Sequence, residues 1–60
     1  MPEIRSWVAE DGYAYLYVQS DAVKYAIRTK KVGDILSMEQ HPHVAANLTN
    51  PQVEALFKNS

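Results

Sequence analysis

The stretch "EQHPH" sets Glu39, His41 and His43 within five residues. A carboxylate and two imidazoles are the donors of a zinc site with three protein ligands and one open position. Pro42 places the cluster in a turn or at a helix start, and no fourth donor lies nearby. We therefore read surface histidines and expect no metal and no cofactor. A second chemical pattern is stronger. "DGYAYLYVQ" carries Tyr13, Tyr15 and Tyr17 at every second position, with Ala14, Leu16 and Val18 between them. Four of the six basic residues follow closely, at Lys24, Arg28, Lys30 and Lys31. Tyrosine offers a large, stiff, amphipathic contact area and is enriched at interfaces. Beside Lys and Arg it can also stack nucleobases and hold phosphates.

No phosphate-cradling loop, nucleophile elbow or zinc framework is present, and the chain holds only two glycines. We expect a protein that is not an enzyme and has no small-molecule substrate. With 60 residues and no cysteine, the chain is one small domain without disulfides. At that length burial gain and chain entropy nearly cancel. The fold must come from good packing or from a partner, and a second copy, a dimer, is the expected one. The net charge of −1 is low for a generic nucleic-acid binder. No apolar run approaches a membrane span, and "MPEIRSW" lacks the layout of a signal peptide. The expectation is an intracellular, cytoplasmic protein. The acceptor pattern "NLT" at Asn47 is then accidental.

These residues need elements to position them. Residues 3–9, 13–19 and 22–29 alternate with period two and read as three strands. Asp11-Gly12 reads as a type I′ hairpin turn, and Ser20-Asp21 as a second two-residue turn. Trp7 would then face Leu16, and Leu16 would face Tyr25. One sheet face would hold Trp7, Ala14, Leu16, Val18, Val23, Tyr25 and Ile27. The other would hold Ile4, Ser6, Val8, the three tyrosines, Lys24, Ala26 and Arg28. Turning the tyrosine face inward would bury Lys24 and Arg28, and an unpaired buried cation is costly. The tyrosines are therefore expected to face outward, with Trp7 and Leu16 buried under Leu56 or Phe57.

The cover is expected from residues 34–58. Pro42 would open a short helix through Val44 and Leu48. Asn50 would cap a second helix, with Pro51 at its first position and a stripe of Val53, Leu56 and Phe57. The fold class is α+β: a three-stranded antiparallel β-meander, residues 3–29, packed on one or two short C-terminal helices, residues 34–58, in a single domain 1–60. The strand, Asp-Gly turn, strand, turn, strand and helix order of residues 4 to about 48 is similar in layout to the small arm-binding domains of phage integrases. That likeness implies DNA gripped by a three-stranded sheet, although no family motif matches residue by residue.

The functional expectation is a non-enzymatic binding module for a protein partner, including self-association. Its surface would be Tyr13, Tyr15, Tyr17, Lys24, Arg28, Lys30 and Lys31, with Ile4 and Val8 on an exposed edge strand. The alternative is nucleic-acid binding by the same Tyr/Lys/Arg face.

Overall fold

The computed structural model describes residues 2–58. Four strands run in chain order: β1 (Glu3–Val8), β2 (Ala14–Gln19), β3 (Lys24–Val32) and β4 (Ile35–His41). They form one antiparallel sheet of order β1-β2-β3-β4, and one helix, α1 (Asn50–Lys58), follows. The α+β class and the antiparallel meander hold. The strand count is four, not three, and residues 34–58 hold a strand as well as a helix.

The first hairpin turns on Gly12, but not as a type I′ turn. The Gly12 N–H donates to the Ala9 carbonyl at 3.0 Å, and the Ala9 N–H donates to the Tyr13 carbonyl at 3.0 Å. Ala9 and Tyr13 therefore close a three-residue loop, with Gly12 at φ 84° in the left-handed region. This is the turn-plus-bulge solution, in which glycine takes the αL position after a type I turn. The Asp11 carboxylate accepts the Tyr13 N–H at 2.9 Å and steadies the loop. Relative to a two-residue turn, β1 slips by one residue, and a one-residue slip moves every side chain of a strand to the other face. Trp7 pairs with Tyr15, and Arg5 with Tyr17.

The second turn is closed by Ser20, whose N–H donates to the Val23 carbonyl at 2.7 Å. The loop residues are Asp21 and Ala22, and Leu16 meets Ile27 while Tyr17 meets Ala26. This register differs from the expected one by two, so the faces of β2 and β3 stay grouped as the alternation implied. The third turn joins Val32 to Ile35 through Gly33 and Asp34. Gly33 has φ 61°, the positive value that a II′ turn places at its first central position. Lys30, Lys31 and Val32 pair only with β4, so the β3–β4 hairpin projects beyond the other strands.

The buried residues are Tyr15, Tyr17, Ala26, Val53 and Phe57. The core therefore lies between the tyrosine face and α1, and the expectation that this face is exposed is overturned. Tyr15 is 1% and Tyr17 0% exposed; only Tyr13 keeps partial access. Leu16 is half-buried on the opposite side of the sheet from Trp7, so the two do not pack together under the helix.

The α1 stripe of Val53, Leu56 and Phe57 packs as its spacing implied, with Val53 and Phe57 buried. The cap is Thr49 rather than Asn50. The Thr49 carbonyl accepts the Val53 N–H at 3.0 Å, and Gln52 Oε1 accepts the Thr49 N–H at 2.9 Å. That is the return arm of a capping box, read in the sequence as "TNPQ". Residues 42–49 form no helix. Asn47 adopts φ 60° there and is held to Gln19 by two hydrogen bonds, 2.8 and 3.2 Å long.

Candidate binding surface

The tyrosine face works as a core because both buried phenols and the Trp7 indole have partners, while the Nε of Arg5 and of Arg28 is buried there without one. The Tyr17 hydroxyl donates to the Ala45 carbonyl at 2.8 Å, in the connector ahead of α1. The Tyr15 hydroxyl donates to Asp11 Oδ2 at 2.9 Å. Burial, and then this bond to a carboxylate, raise the Tyr15 pKa above the usual phenol value. The Tyr13 N–H holds the Asp11 carboxyl below its ordinary pKa. Trp7 stacks on Tyr15 at 5.5 Å between centroids and donates its indole N–H to Glu54 of α1 at 3.1 Å. Phe57 meets Tyr15 edge-on at 5.8 Å and His41 at 4.5 Å. Buried tyrosine is tolerable when its tip is bonded, and both buried phenols meet that condition.

The cations that argued for an outward tyrosine face are also accommodated. One terminal nitrogen of Arg28 lies 2.6 Å from both oxygens of Glu39. The guanidinium covers the Tyr13 ring at 4.2 Å and approaches Phe57 at 5.3 Å. The bond to Glu39 raises the Arg28 pKa above its ordinary value. Arg5 lies over the Tyr17 ring at 5.1 Å and donates to the Leu48 carbonyl. Lys30 sits 4.9 Å from the Tyr13 centroid and donates to the Asp11 carbonyl at 3.3 Å. Lys24 is half-buried at the start of β3. Arg5, Arg28 and Lys30 each reach an acceptor and an aromatic ring, which lowers the expected penalty, although the Nε of Arg5 and of Arg28 is buried without an acceptor.

The Arg28–Glu39 pair joins two neighbouring strands at the open edge of the core. Its side chains are 13% and 46% exposed, so solvent screens it in part. A double-mutant cycle with Arg28→Ala and Glu39→Ala should return a coupling of about 1 kcal/mol that shrinks in salt. Thermal melts at low and high ionic strength measure it; no coupling at either would show the pair to be incidental.

The expected binding residues are thus divided. Tyr15 and Tyr17 are removed from the surface altogether. Tyr13, Lys24, Arg28 and Lys30 lie on the helix-covered side, tied into the fold. Lys31 lies on the other side, opposite Leu36. Ile4 and Val8 are each 73% exposed on β1, which is an edge strand. With Tyr15 and Tyr17 buried beneath α1, Tyr13 is the one of the three tyrosines still in part accessible beside Arg28 and Lys30.

Among the described residues, no group of three or more His, Cys, Asp or Glu side chains is placed to hold a metal ion. Glu39 is engaged by Arg28, and the His41 ring lies against Phe57. An open groove of about 350 Å³ runs between the first hairpin and the end of α1, lined by Trp7, Glu10, Asp11, Glu54 and Lys58 among others. Two of its carboxylates, Asp11 and Glu54, already serve as acceptors for core aromatics. No helix is long and apolar enough to cross a membrane among the described residues.

The surface that stands out is the other side of the sheet. The strand registers place Ile4, Ser6 and Val8 beside Val18, Leu16 and Ala14 on that side. Tyr25, Ile27, Thr29 and Lys31 continue it on β3, with Leu36, Met38 and Gln40 on β4. Among the described residues, no helix or loop covers it: α1 and the residues it buries all belong to the tyrosine side. Ile4, Val8, Leu36 and Met38 remain 58–73% exposed. Among the described strand residues its one charge is Lys31, on the projecting hairpin. The expectation missed most of these residues because it assigned them to the core. β4 carried a readable signal of its own, with Leu36 and Met38 alternating with Ser37 and Glu39. No family model, curated protein or solved structure matches this chain.

Proposed function

We propose that the chain is a non-enzymatic binding module that recognises protein through the uncovered apolar side of its sheet. The observation that carries this reading is the nearly charge-free surface running across all four strands, from Ile4 and Val8 through Leu16 and Ile27 to Met38. Monomeric proteins seldom leave a contiguous apolar patch larger than a few hundred Å² in water, and such patches mark interaction sites. Association driven by this surface resists moderate salt, because few ions are released. The nucleic-acid alternative required exposed tyrosines among free cations, and the packing of α1 supports no such surface.

Photoactivatable leucine separates the two sides of the sheet. Leu16 and Leu36 lie on the uncovered side, whereas Leu48 and Leu56 pack against the core. After illumination in extract, intermolecular adducts to polypeptide are expected at Leu16 and Leu36. Adducts confined to Leu48 and Leu56, or none at any leucine, would remove this reading.

A further inference from the structure

The apolar side of the sheet says more about its occupant than that it is protein. We infer that the occupant is a second copy of this chain, packed sheet against sheet, giving a helix–sheet–sheet–helix dimer. This rests on the reading above and names its partner.

Charge is the first argument. A neutral apolar surface is complementary to itself, since two copies meet without like-charge repulsion. The only charge on the surface among the described strand residues, Lys31, lies on the projecting hairpin, past the last β2–β3 pair at Ala14 and Thr29. Two copies related by a twofold axis therefore need not bury it. Conversely, its polar groups are few and mostly neutral, Ser6, Thr29 and Gln40 among them, and it offers little of the charge by which a heterologous partner is usually selected.

Size is the second argument. Four strands about 4.8 Å apart and about six residues long make a surface of roughly 400 Å² in plan. Two such surfaces in contact, with the apolar parts of the two projecting hairpins, remove on the order of 1,000 Å² from water, near the lower bound of a specific interface. Aligned sheets pack about 10 Å apart with strands within about 30° of each other. The medium-sized side chains of this surface, Val18, Leu16 and Ile27 at its middle, suit that spacing.

The third argument is need. Only five residues are buried among those described, which is a small core for a chain without disulfides. A second layer on the open side would enlarge that core, and a second copy is the partner whose supply rises with the protein's own concentration. Pairing of β1 edges alone would not supply it, because it would leave the apolar side wet.

Light scattering over about 1 to 500 μM tests the inference. The unmodified chain should move towards twice its 6.8 kDa mass as concentration rises. Leu16→Lys, at the middle of the surface, should weaken self-association at least about 100-fold, because it buries a cation without a partner. Met38→Lys should do the same. Its side chain is 58% exposed, so its fold needs no rescue, and circular dichroism verifies this. Ala55→Lys, on the exposed side of α1, should leave the mass unchanged. A chain that stays monomeric throughout overturns the inference. So does a dimer that survives both Leu16→Lys and Met38→Lys, or one that is lost with Val8→Lys but kept with Met38→Lys, which would point to the β1 edge. A monomer that still gives adducts to other polypeptides at Leu16 and Leu36 would sink the dimer and leave the binding surface standing. A monomer without such adducts would sink both.

Discussion

Tyr17→Ala should leave the chain unfolded at ambient temperature, while Leu16→Ala should leave the monomer's fold intact. Tyr17 is fully buried, and removing so large a side chain from a core costs about 3–5 kcal/mol. That is comparable with the whole stability of a small domain. Its hydroxyl also anchors the connector to α1, accepting the Leu48 N–H at 3.4 Å while donating to Ala45. Tyr17→Phe keeps the ring and loses these bonds and the one to Gln19 Oε1, so its cost should be about 1–2 kcal/mol. Leu16 stands on the uncovered side, and its truncation leaves no cavity under the helix. Chemical denaturation of the three variants, at concentrations where the parent is monomeric, ranks them. If Leu16→Ala is the most damaging of the set, the core has been assigned to the wrong side of the sheet.

Phe57→Ala should release α1 from the sheet. Phe57 touches Tyr15, His41 and Arg28, so its ring is the plug between β2, β3 and β4. Its loss should cost about 3–5 kcal/mol. A helix of 9 residues cannot persist in water on its own propensity, so undocking and unwinding should coincide. Far-UV circular dichroism should lose its helical component, and Trp7 fluorescence should shift to the red as the bond to Glu54 opens. A variant that keeps its helix with an unshifted tryptophan would show that Val53 and Leu56 suffice to dock it.

Much of the fold was legible in the sequence, and the errors have identifiable causes. The period-two runs gave three strands, and the Val53, Leu56 and Phe57 stripe gave the helix that covers the sheet. Alternation correctly grouped Leu16, Val18, Tyr25 and Ile27 on one side, and Tyr15, Tyr17, Ala26 and Arg28 on the other. It could not say which side meets the helix. That decision turned on the cost of enclosing Arg28, and Arg28's partner is Glu39. In the sequence Glu39 stands just before His41-Pro42 and reads as part of a turn, whereas the Gly33-Asp34 hairpin makes it a residue of β4. One missed strand thus left a cation seemingly unpaired and inverted the core. The slip of β1 had a separate origin. Asp-Gly signals a hairpin but fits a two-residue or a three-residue loop, and the choice is expressed in the Ala9–Tyr13 closure and in Trp7 stacking on Tyr15. The expected surface divides for the same reason: Tyr15 and Tyr17 are buried, whereas Ile4, Val8 and Lys31 lie on the uncovered side.

The meander has a kinetic consequence. Every strand pairs with its neighbour in the chain, across loops of three, two and two residues. Each hairpin can therefore close with little loop entropy, and local pairing of this kind favours rapid folding. The one long-range step is the return of α1 across the sheet to Trp7 and Tyr15. Until it occurs, both sides of a freshly zipped sheet are wet and both edges are unpaired. The order of events during synthesis sharpens this, since the segment that shields Tyr15 and Tyr17 is the last of the described chain to leave the ribosome.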